Sequence, residues 1–324
     1  MKFFHSKIPN AINNFHKINS DVIVVGGGRW AVIITREILK NFPNVKNVFI
    51  ITKNKDLLQN FKTNELKRVV HYLNFRFIKN NHIEYAIIAN KNKDHYKTIQ
   101  KLLPKNINLL IEKPPVEKES QYISLKKIIK KNKSRVFVSM PFYYSYYFNL
   151  FKKKYLKDSK YQIEFNWHDK INEKRNGVLK KQDFSINYLE DTIYHFFSVI
   201  NCLFGKKKIF IKKFINKINQ GSLNFVYGKH DIFLFCSRLR TNTRVRNILF
   251  SSDKKKHFIN FSNDNDLNVS NSGVYKKLKF NFCQKTLKFQ LFYFMNSKNY
   301  SKNQLFNEIG NLDNLFKTIY KIKK

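Results

Sequence analysis

Cysteine is nearly absent from this chain of 324 residues: Cys202, Cys236 and Cys283 stand far apart, outside any Cys-x-x-Cys or Cys/His ligand spacing. That speaks against a disulfide framework and against a zinc centre, no other metal site is expected, and a reducing compartment, the cytoplasm, fits. Long apolar runs are missing too. No stretch approaches the ~18 consecutive apolar residues of a membrane span, and Met1–Ser20 has no apolar core of signal-peptide length. Acidic residues are few, 22 against 62 Lys and Arg, which gives a formal charge of +40. Such a balance invites a nucleic-acid partner. Against it, only ten of the basic residues are arginine, the better reader of phosphate and guanine, and the lysines are dispersed from end to end. Alanine (Ala11, Ala31, Ala86, Ala89) and glycine (9) are scarce, whereas Phe (32) and Tyr (17) abound. Drift toward AT-rich codons explains that bias, so neither a specific nucleic acid nor a membrane is expected as a partner.

Three of the nine glycines stand together, at 26–28. They follow the apolar run Val22–Val25 and precede Ala31, Ile34 and Ile38 at helical spacing. Gly26, Gly28 and Ala31 fit G-x-G-x-x-G/A, the strand–turn–helix that seats a dinucleotide pyrophosphate. Gly26 permits the tight turn, Gly28 lets the backbone approach phosphate, and Ala31 allows close helix–strand packing. Arg29 adds a full positive charge to the helix N-terminus, with Trp30 beside it.

The first ~115 residues alternate apolar strands with helical segments, the pattern of a doubly wound parallel sheet. Strands are expected at Val22–Val25, Val48–Ile51, Phe75–Ile78, Tyr85–Ala89, Leu109–Ile111 and Val136–Met140. A helix with Tyr96, Ile99 and Leu103 on one face, capped with help from Asp94, is expected between the fourth and fifth. Beyond ~142 the character changes. Tyr161–Trp167 alternates like a strand, Ser185–Phe204 reads as a helix, and strand-like runs continue from Phe210 to about Phe292, including Ile232–Cys236 and Asn247–Ser251. Ser262–Ser272 reads as a loop and Gln304–Lys324 as a terminal helix. The expected architecture is α/β: a Rossmann domain over 18–141, then an α+β domain over 142–324 with an open, largely antiparallel sheet, for substrate binding and oligomerisation.

Four pieces stand in one order: the glycine turn; Ala89-Asn90-Lys91-Asn92-Lys93-Asp94-His95 after a strand; Glu112-Lys113-Pro114 after the next; and Asp191-x-x-x-His195 in a later helix. Together they resemble the Gfo/Idh/MocA family, the oxidoreductases related to glucose–fructose oxidoreductase and inositol dehydrogenase, over residues 20–205. The resemblance implies a nicotinamide-dependent dehydrogenase or reductase acting on a small molecule in a cleft between two domains, and a dimer or tetramer formed through the open sheet. It implies cofactor contacts from Gly26, Gly28, Arg29, Trp30, Ala31, Thr52, Lys53, Ala89, Asn90, Asn92, His95, Glu112 and Lys113. Lys113, Asp191 and His195 would carry the chemistry: the Lys113 ammonium polarises the reacting heteroatom, His195 is the acid/base, and Asp191 binds substrate or balances charge.

The residues constrain these roles independently. Asp191 and His195 are four apart and share a helix face, nearly opposite the stripe Leu189, Ile193, Phe196, Ile200 and Leu203, so they face solvent or a cleft. Family members carry glycine between this Asp and His and a glycine-rich run before it. Here Ile193 and Asn187-Tyr188-Leu189-Glu190 take those places, which puts a sugar or polyol substrate in doubt. Phe142-Tyr143-Tyr144-Ser145-Tyr146-Tyr147 lines the cleft or packs internally, and Trp167-His168-Asp169 either reaches the site or is a polar strand end. An acidic residue at the end of the second strand would select NAD. Thr52-Lys53-Asn54 stands there instead, with no carboxylate until Asp56, so NADP(H) is the expected cofactor and NAD(H) the alternative. The competing function is a catalytically silent dinucleotide-binding sensor or scaffold.

Overall fold

The computed structural model describes residues 20–323 apart from 77, 79–82, 157–158, 171–173, 176–177, 180–183, 254, 263–265, 272–273, 280–285 and 301–307. Cys283 lies outside the described residues. The chain divides into two compact units, the first ending at Met140 but regaining Leu287–Leu312, the second comprising Pro141–Thr286 and Asp313–Lys324. The return of Leu287–Leu312 to the first unit departs from the reading of 142–324 as one domain.

In the first unit, β1 (Asp21–Val25), α1 (Arg29–Asn41), β2 (Val48–Ile51), the single turn α2 (Thr63–Leu66), β3 (Val69–Tyr72), β4 (Ile83–Ile88), α3 (Asn92–Leu102), β5 (Asn108–Ile111), α4 (Glu119–Lys131) and β6 (Val136–Val138) follow in order. The strands form one parallel sheet in the order β3-β2-β1-β4-β5-β6. Residues Val22–Val25 and Val48–Ile51 are buried along their whole length, as apolar runs covered on both faces require. Val32 of α1, Ile50, Leu57, Phe61 and Val69 form one apolar cluster. Each such side chain contributes roughly 1.5–3 kcal/mol on full burial.

Three expectations for this unit are corrected. The third strand is Val69–Tyr72, not Phe75–Ile78; two β-branched residues and an aromatic pair with β2, and Thr52 N–H donates to the Tyr72 carbonyl at 3.0 Å. The helix α3 begins at Asn92, so Asp94 lies inside its first turn and makes no side-chain cap. Its buried face is His95, Thr98, Ile99 and Leu102, whereas Tyr96 is half-buried with its hydroxyl on Ser124.

The second unit contains α5 (Tyr146–Tyr155), β7 (Gln162–Lys170), the short pair β8 (Lys174–Arg175) and β9 (Val178–Leu179), and α6 (Tyr188–Phe204). Seven strands follow: β10 (Ile209–Asn216), β11 (Gln220–Tyr227), β12 (His230–Thr241), β13 (Val245–Ser251), β14 (Lys256–Asn260), β15 (Asp266–Asn271) and β16 (Val274–Lys279). The sheet order is β10-β11-β12-β7-β13-β14-β15-β16, antiparallel except between β12 and β7. Three further expectations fail here. Asp266–Asn271 is a strand despite its loop-like composition, because it pairs on both edges with β14 and β16. Strand character stops before Phe292: α7 (Thr286–Met295) is a helix, returned to the first unit, where Phe294 packs edge-on against Tyr85 and Phe137. The last helix, α8 (Asp313–Lys323), starts later than Gln304.

One face of the eight-stranded sheet carries α6. The contact is close: a Cβ on Gly221 of β11 would lie 2.5 Å from Leu189 Cβ of α6. Phe196 of α6 meets Phe165 of β7 edge-on at 4.6 Å between ring centroids. We predict that Gly221→Ala lifts α6 from the sheet and costs about 1–3 kcal/mol, the usual range for overpacking a filled core. Chemical denaturation measures the loss, and an unchanged midpoint would show that the helix yields freely.

Candidate active site

In the first unit the sequence-selected residues gather at the carboxyl ends of the parallel strands. Gly26 follows β1, Thr52-Lys53-Asn54 follow β2, Ala89-Asn90 follow β4, and Glu112-Lys113-Pro114 follow β5. The strand order reverses between β1 and β4, the point where open α/β sheets bind ligands. Gly26 has φ +150°, and a Cβ there would lie 2.5 Å from the Ala89 carbonyl oxygen. Only glycine lets the turn after β1 pass this close to the loop after β4. Around Gly28 a Cβ would meet nothing within 4 Å. This open backbone precedes α1, whose N-cap is Gly28 itself, with no side-chain hydrogen bond. Free N–H groups and open space suit a pyrophosphate, so the residues present fit a dinucleotide.

Neighbouring loops are tied to this turn. Asn54 donates from Nδ2 to the Gly27 carbonyl at 3.0 Å, and Asn54 N–H donates to Thr52 Oγ1 at 3.1 Å. Lys53 between them is exposed. His95, fully buried, has Nδ1 at 2.8 Å from the Pro114 carbonyl and Nε2 at 3.1 Å from the Asn90 carbonyl. It therefore joins the loops after β4 and β5 through backbone groups, and burial lowers its pKa despite the two carbonyls. Asn90 donates to Thr98 Oγ1 at 2.9 Å, and Asn92 opens α3, half-buried. Arg29, Trp30 and Lys113 are half-buried, and Ala31 is buried. The Lys113–Pro114 peptide is cis.

Glu112 is a second perturbed group of this edge. Its Oε1 is shielded from solvent with no hydrogen-bond partner. Desolvation raises its pKa above the ordinary carboxylate value, against the lowering effect of Ser139, Trp30 and Lys113 beside it.

In the second unit, Asp191 and His195 lie on α6. From Tyr188 to Leu203 every side chain of this helix is buried except those two, which are half-buried. The expected core stripe of Leu189, Ile193, Phe196, Ile200 and Leu203 is present, but His195 does not simply point away from it. Its ring stacks on Trp167 of β7, centroids 5.2 Å apart and planes within 12°, and Phe142 meets it edge-on at 5.6 Å. Trp167 and Asp169 are buried, so Trp167-His168-Asp169 is not an exposed strand end; His168, on the other face of β7, bonds Ser237 at 2.6 Å. Tyr143 and Tyr144 are buried, Phe142 is half-buried, and the side chains of Tyr146 and Tyr147 lie outside the described ones. A hollow of about 910 Å³ lies on the opposite sheet face, among Gln162, Glu164, Asn224 and Asp231.

Sequence reasoning weighed Trp167 without committing to it and missed Arg246, which pairs with Asp169. The available signal was a carboxylate, Asp169, at an inward position of an alternating strand.

Residues 20–140 match the profile described as "Oxidoreductase family, NAD-binding Rossmann fold", Gfo/Idh/MocA. Over these residues, its nucleotide-binding unit, the chain is similar to the Gfo/Idh/MocA oxidoreductases. Solved structures with the same fold include a dehydrogenase (MviM) from Clostridium difficile, 16% identical, covering 94% of this chain and 98% of that one, TM-score 0.72. GenD2 of gentamicin A biosynthesis, in complex with NAD, is 11% identical with 94% of each chain covered and TM-score 0.74. A variant of KijD10, a 3-ketoreductase from Actinomadura kijaniata in complex with TDP-benzene and NADP, is 10% identical, covering 94% and 96%, TM-score 0.71. A search of curated proteins finds no match to the sequence. Among the described residues no helix is long and apolar enough to cross a membrane.

The Glu112 environment yields a prediction. With its folded pKa raised, the protein loses stability as pH rises above the unfolded carboxylate value of roughly 4.3. Glu112→Gln therefore raises the Tm of the cofactor-free protein at neutral pH, and the gain shrinks toward zero as pH falls to that value. A gain that is the same at every pH would refute the assignment.

Proposed function

We propose that this protein is an NAD(P)-dependent oxidoreductase acting on a carbonyl, alcohol or imine of a small molecule, with Lys113 and His195 as its catalytic residues. The observation that carries the reading is the half-buried Asp191–His195 pair on an otherwise buried helix, in a chain whose other unit presents a dinucleotide-type turn at a strand-order reversal. When bound, the nicotinamide supplies or accepts the hydride. The chain's residues do the rest. The Lys113 ammonium donates a hydrogen bond to the reacting oxygen or nitrogen and stabilises charge as it develops there. The His195 imidazole gives a proton to that heteroatom in reduction and takes it in oxidation. Asp191, one turn earlier, favours the protonated imidazole and binds a polar substituent of the substrate.

Groups acting in the transition state lower kcat and kcat/KM together when removed. We expect His195→Ala and Lys113→Ala each to lose at least ~10²-fold in both, with cofactor affinity retained in His195→Ala. Steady-state kinetics across carbonyl and imine substrates measures this. A folded His195→Ala protein turning over at the parental rate would leave a dinucleotide-binding protein without this catalysis.

We further propose NADP(H) as the preferred cofactor. The support is the exposed ammonium of Lys53 at the end of β2, beside the Thr52 hydroxyl, in a loop that Asn54 ties to the glycine turn. A charge-assisted contact to a 2′-phosphate accounts for roughly 1.5–3 kcal/mol. Fluorescence titration should then show NADPH binding at least ~10-fold more tightly than NADH, with Lys53→Glu abolishing the difference. Equal affinities in the parent protein would reject it.

A further inference from the structure

At one end of the eight-stranded sheet the face covered by α6 stops being apolar. Along β7 the inward residues are Ile163, Phe165, Trp167 and Asp169; along β13 they are Phe250, Ile248 and Arg246; along β12, Ile232, Leu234, Cys236 and Arg238. Asp169, Arg246 and Arg238 are 2%, 6% and 3% exposed. Arg246 and Cys236 stand directly opposite Trp167 on the two neighbouring strands. Arg246 Nη2 lies 3.1 Å from Asp169 Oδ1, and its guanidinium carbon is 3.9 Å from the Trp167 ring centroid. The same indole is the plate on which His195 stacks.

A buried ion pair is a poor device for stability, since apolar residues of the same volume commonly serve as well or better. Its position under the ring that carries His195 is informative for that reason. An indole does not titrate near neutral pH, but it fixes the plane of a stacked imidazole, and charges against the same ring act across a distance that little water screens. A guanidinium there opposes protonation of the imidazole, and a carboxylate favours it.

We propose that Trp167 and the Asp169–Arg246 pair are positioning residues for His195: the indole sets the plane of the imidazole, and the two buried charges set its proton affinity by opposing each other. This rests on the reading of His195 as the proton-transfer group. Other titratable or charged groups are described in this unit, among them Arg244, half-buried two residues before Arg246. Asp191 on the same helix favours protonation. Tyr188 is neutral, its phenol pushed far up by burial and by the charge of Asp169. The Cys236 thiol is likewise pushed up by burial. Arg238 donates to the Ile186 carbonyl at 2.7 Å and lies over the Tyr188 ring at 4.7 Å. Glu190 is paired with Lys323 at 3.1 Å, and Phe142 is uncharged.

The chain has only two tryptophans, Trp30 and Trp167. Protonated imidazole quenches indole emission on contact, so in a Trp30→Phe background the emission of Trp167 reports the protonation of His195 with no substrate needed. We expect emission to fall along one titration as pH is lowered, and His195→Gln to remove that titration. Asp169→Asn, nearly isosteric, leaves Arg246 unopposed and moves the midpoint down by roughly half a pH unit or more. Asp169→Asn with Arg246→Gln removes both charges, keeps two hydrogen-bonding amides, and moves the midpoint back up. Arg246→Lys conserves the cation and holds the parental midpoint. Circular dichroism and a cooperative melt establish which variants are folded, and each folded variant decides separately. A midpoint indifferent to these charges, a double variant that titrates no higher than Asp169→Asn alone, or a titration that survives His195→Gln overturns the proposal. Failure of the catalytic reading is distinct, because it appears in the turnover of His195→Ala and leaves this titration intact.

Discussion

The second unit depends on how closely α6 lies on its sheet. Leu189 of the helix and the backbone of Gly221 are near enough that a methyl group on the strand has no space. The sheet on one side, with α5, α8 and the turn at Pro141–Tyr144 around the rest, buries nearly every α6 side chain, and from that burial follows the meaning of Asp191 and His195. On an amphipathic surface helix a polar pair four residues apart is the default; on a helix enclosed on all sides it is a break in the packing that needs a cause. The pleat then decides what the pair meets. With a period of two, β7 turns Phe165, Trp167 and Asp169 toward the helix, so the imidazole finds an indole instead of water.

In the first unit the ruling constraint is the parallel sheet itself. Parallel strands all end on the same edge, so loops far apart in sequence converge there. Backbone bonds then draw them together: Gly26 N–H donates to Ile51, Ala89 N–H to Val25, and Glu112 N–H to Ile88. His95 adds a side-chain tie between two of the loops. The result is an edge made of backbone polar groups and small residues, with the Glu112 carboxyl held there at a cost in desolvation.

The glycine turn was legible because three independent signals coincide: an apolar run, clustered glycines and a helical period. The Phe75–Ile78 misreading had a physical source. Aromatic and β-branched residues favour strands anywhere, and nothing local distinguishes that segment from Val69–Tyr72; the partner does, since β2 already extends beside the latter. Thr286–Met295 was misread because nearly every described side chain of the helix is buried. A helix without a polar face has no 3.6-residue signature, and an apolar segment of that kind reads as a strand equally well. Trp167 shows the remaining limit. Alternation places it on the inward face of β7, but which residue of α6 it meets depends on helix–sheet register, and a single sequence does not encode that in any local pattern. Arg246 was invisible for the same reason: its partner Asp169 lies 77 positions away.

The late return of the chain bears on how the protein is made. The core of the first unit includes Phe294 against Tyr85 and Phe137, and Glu308 bridges the backbone of Phe137 on β6, an edge strand of the parallel sheet. Those closing pieces belong to Leu287–Leu312. Synthesis runs from the N-terminus, and domains generally complete as the ribosome releases them. Here the nucleotide-binding sheet is synthesised first but stays uncovered on its β6 side until the segment ending at Leu312 has emerged. Its edge stays open to pairing with other strands until then, so of the two units the one whose strands come earlier in the chain is closed by a segment that comes late.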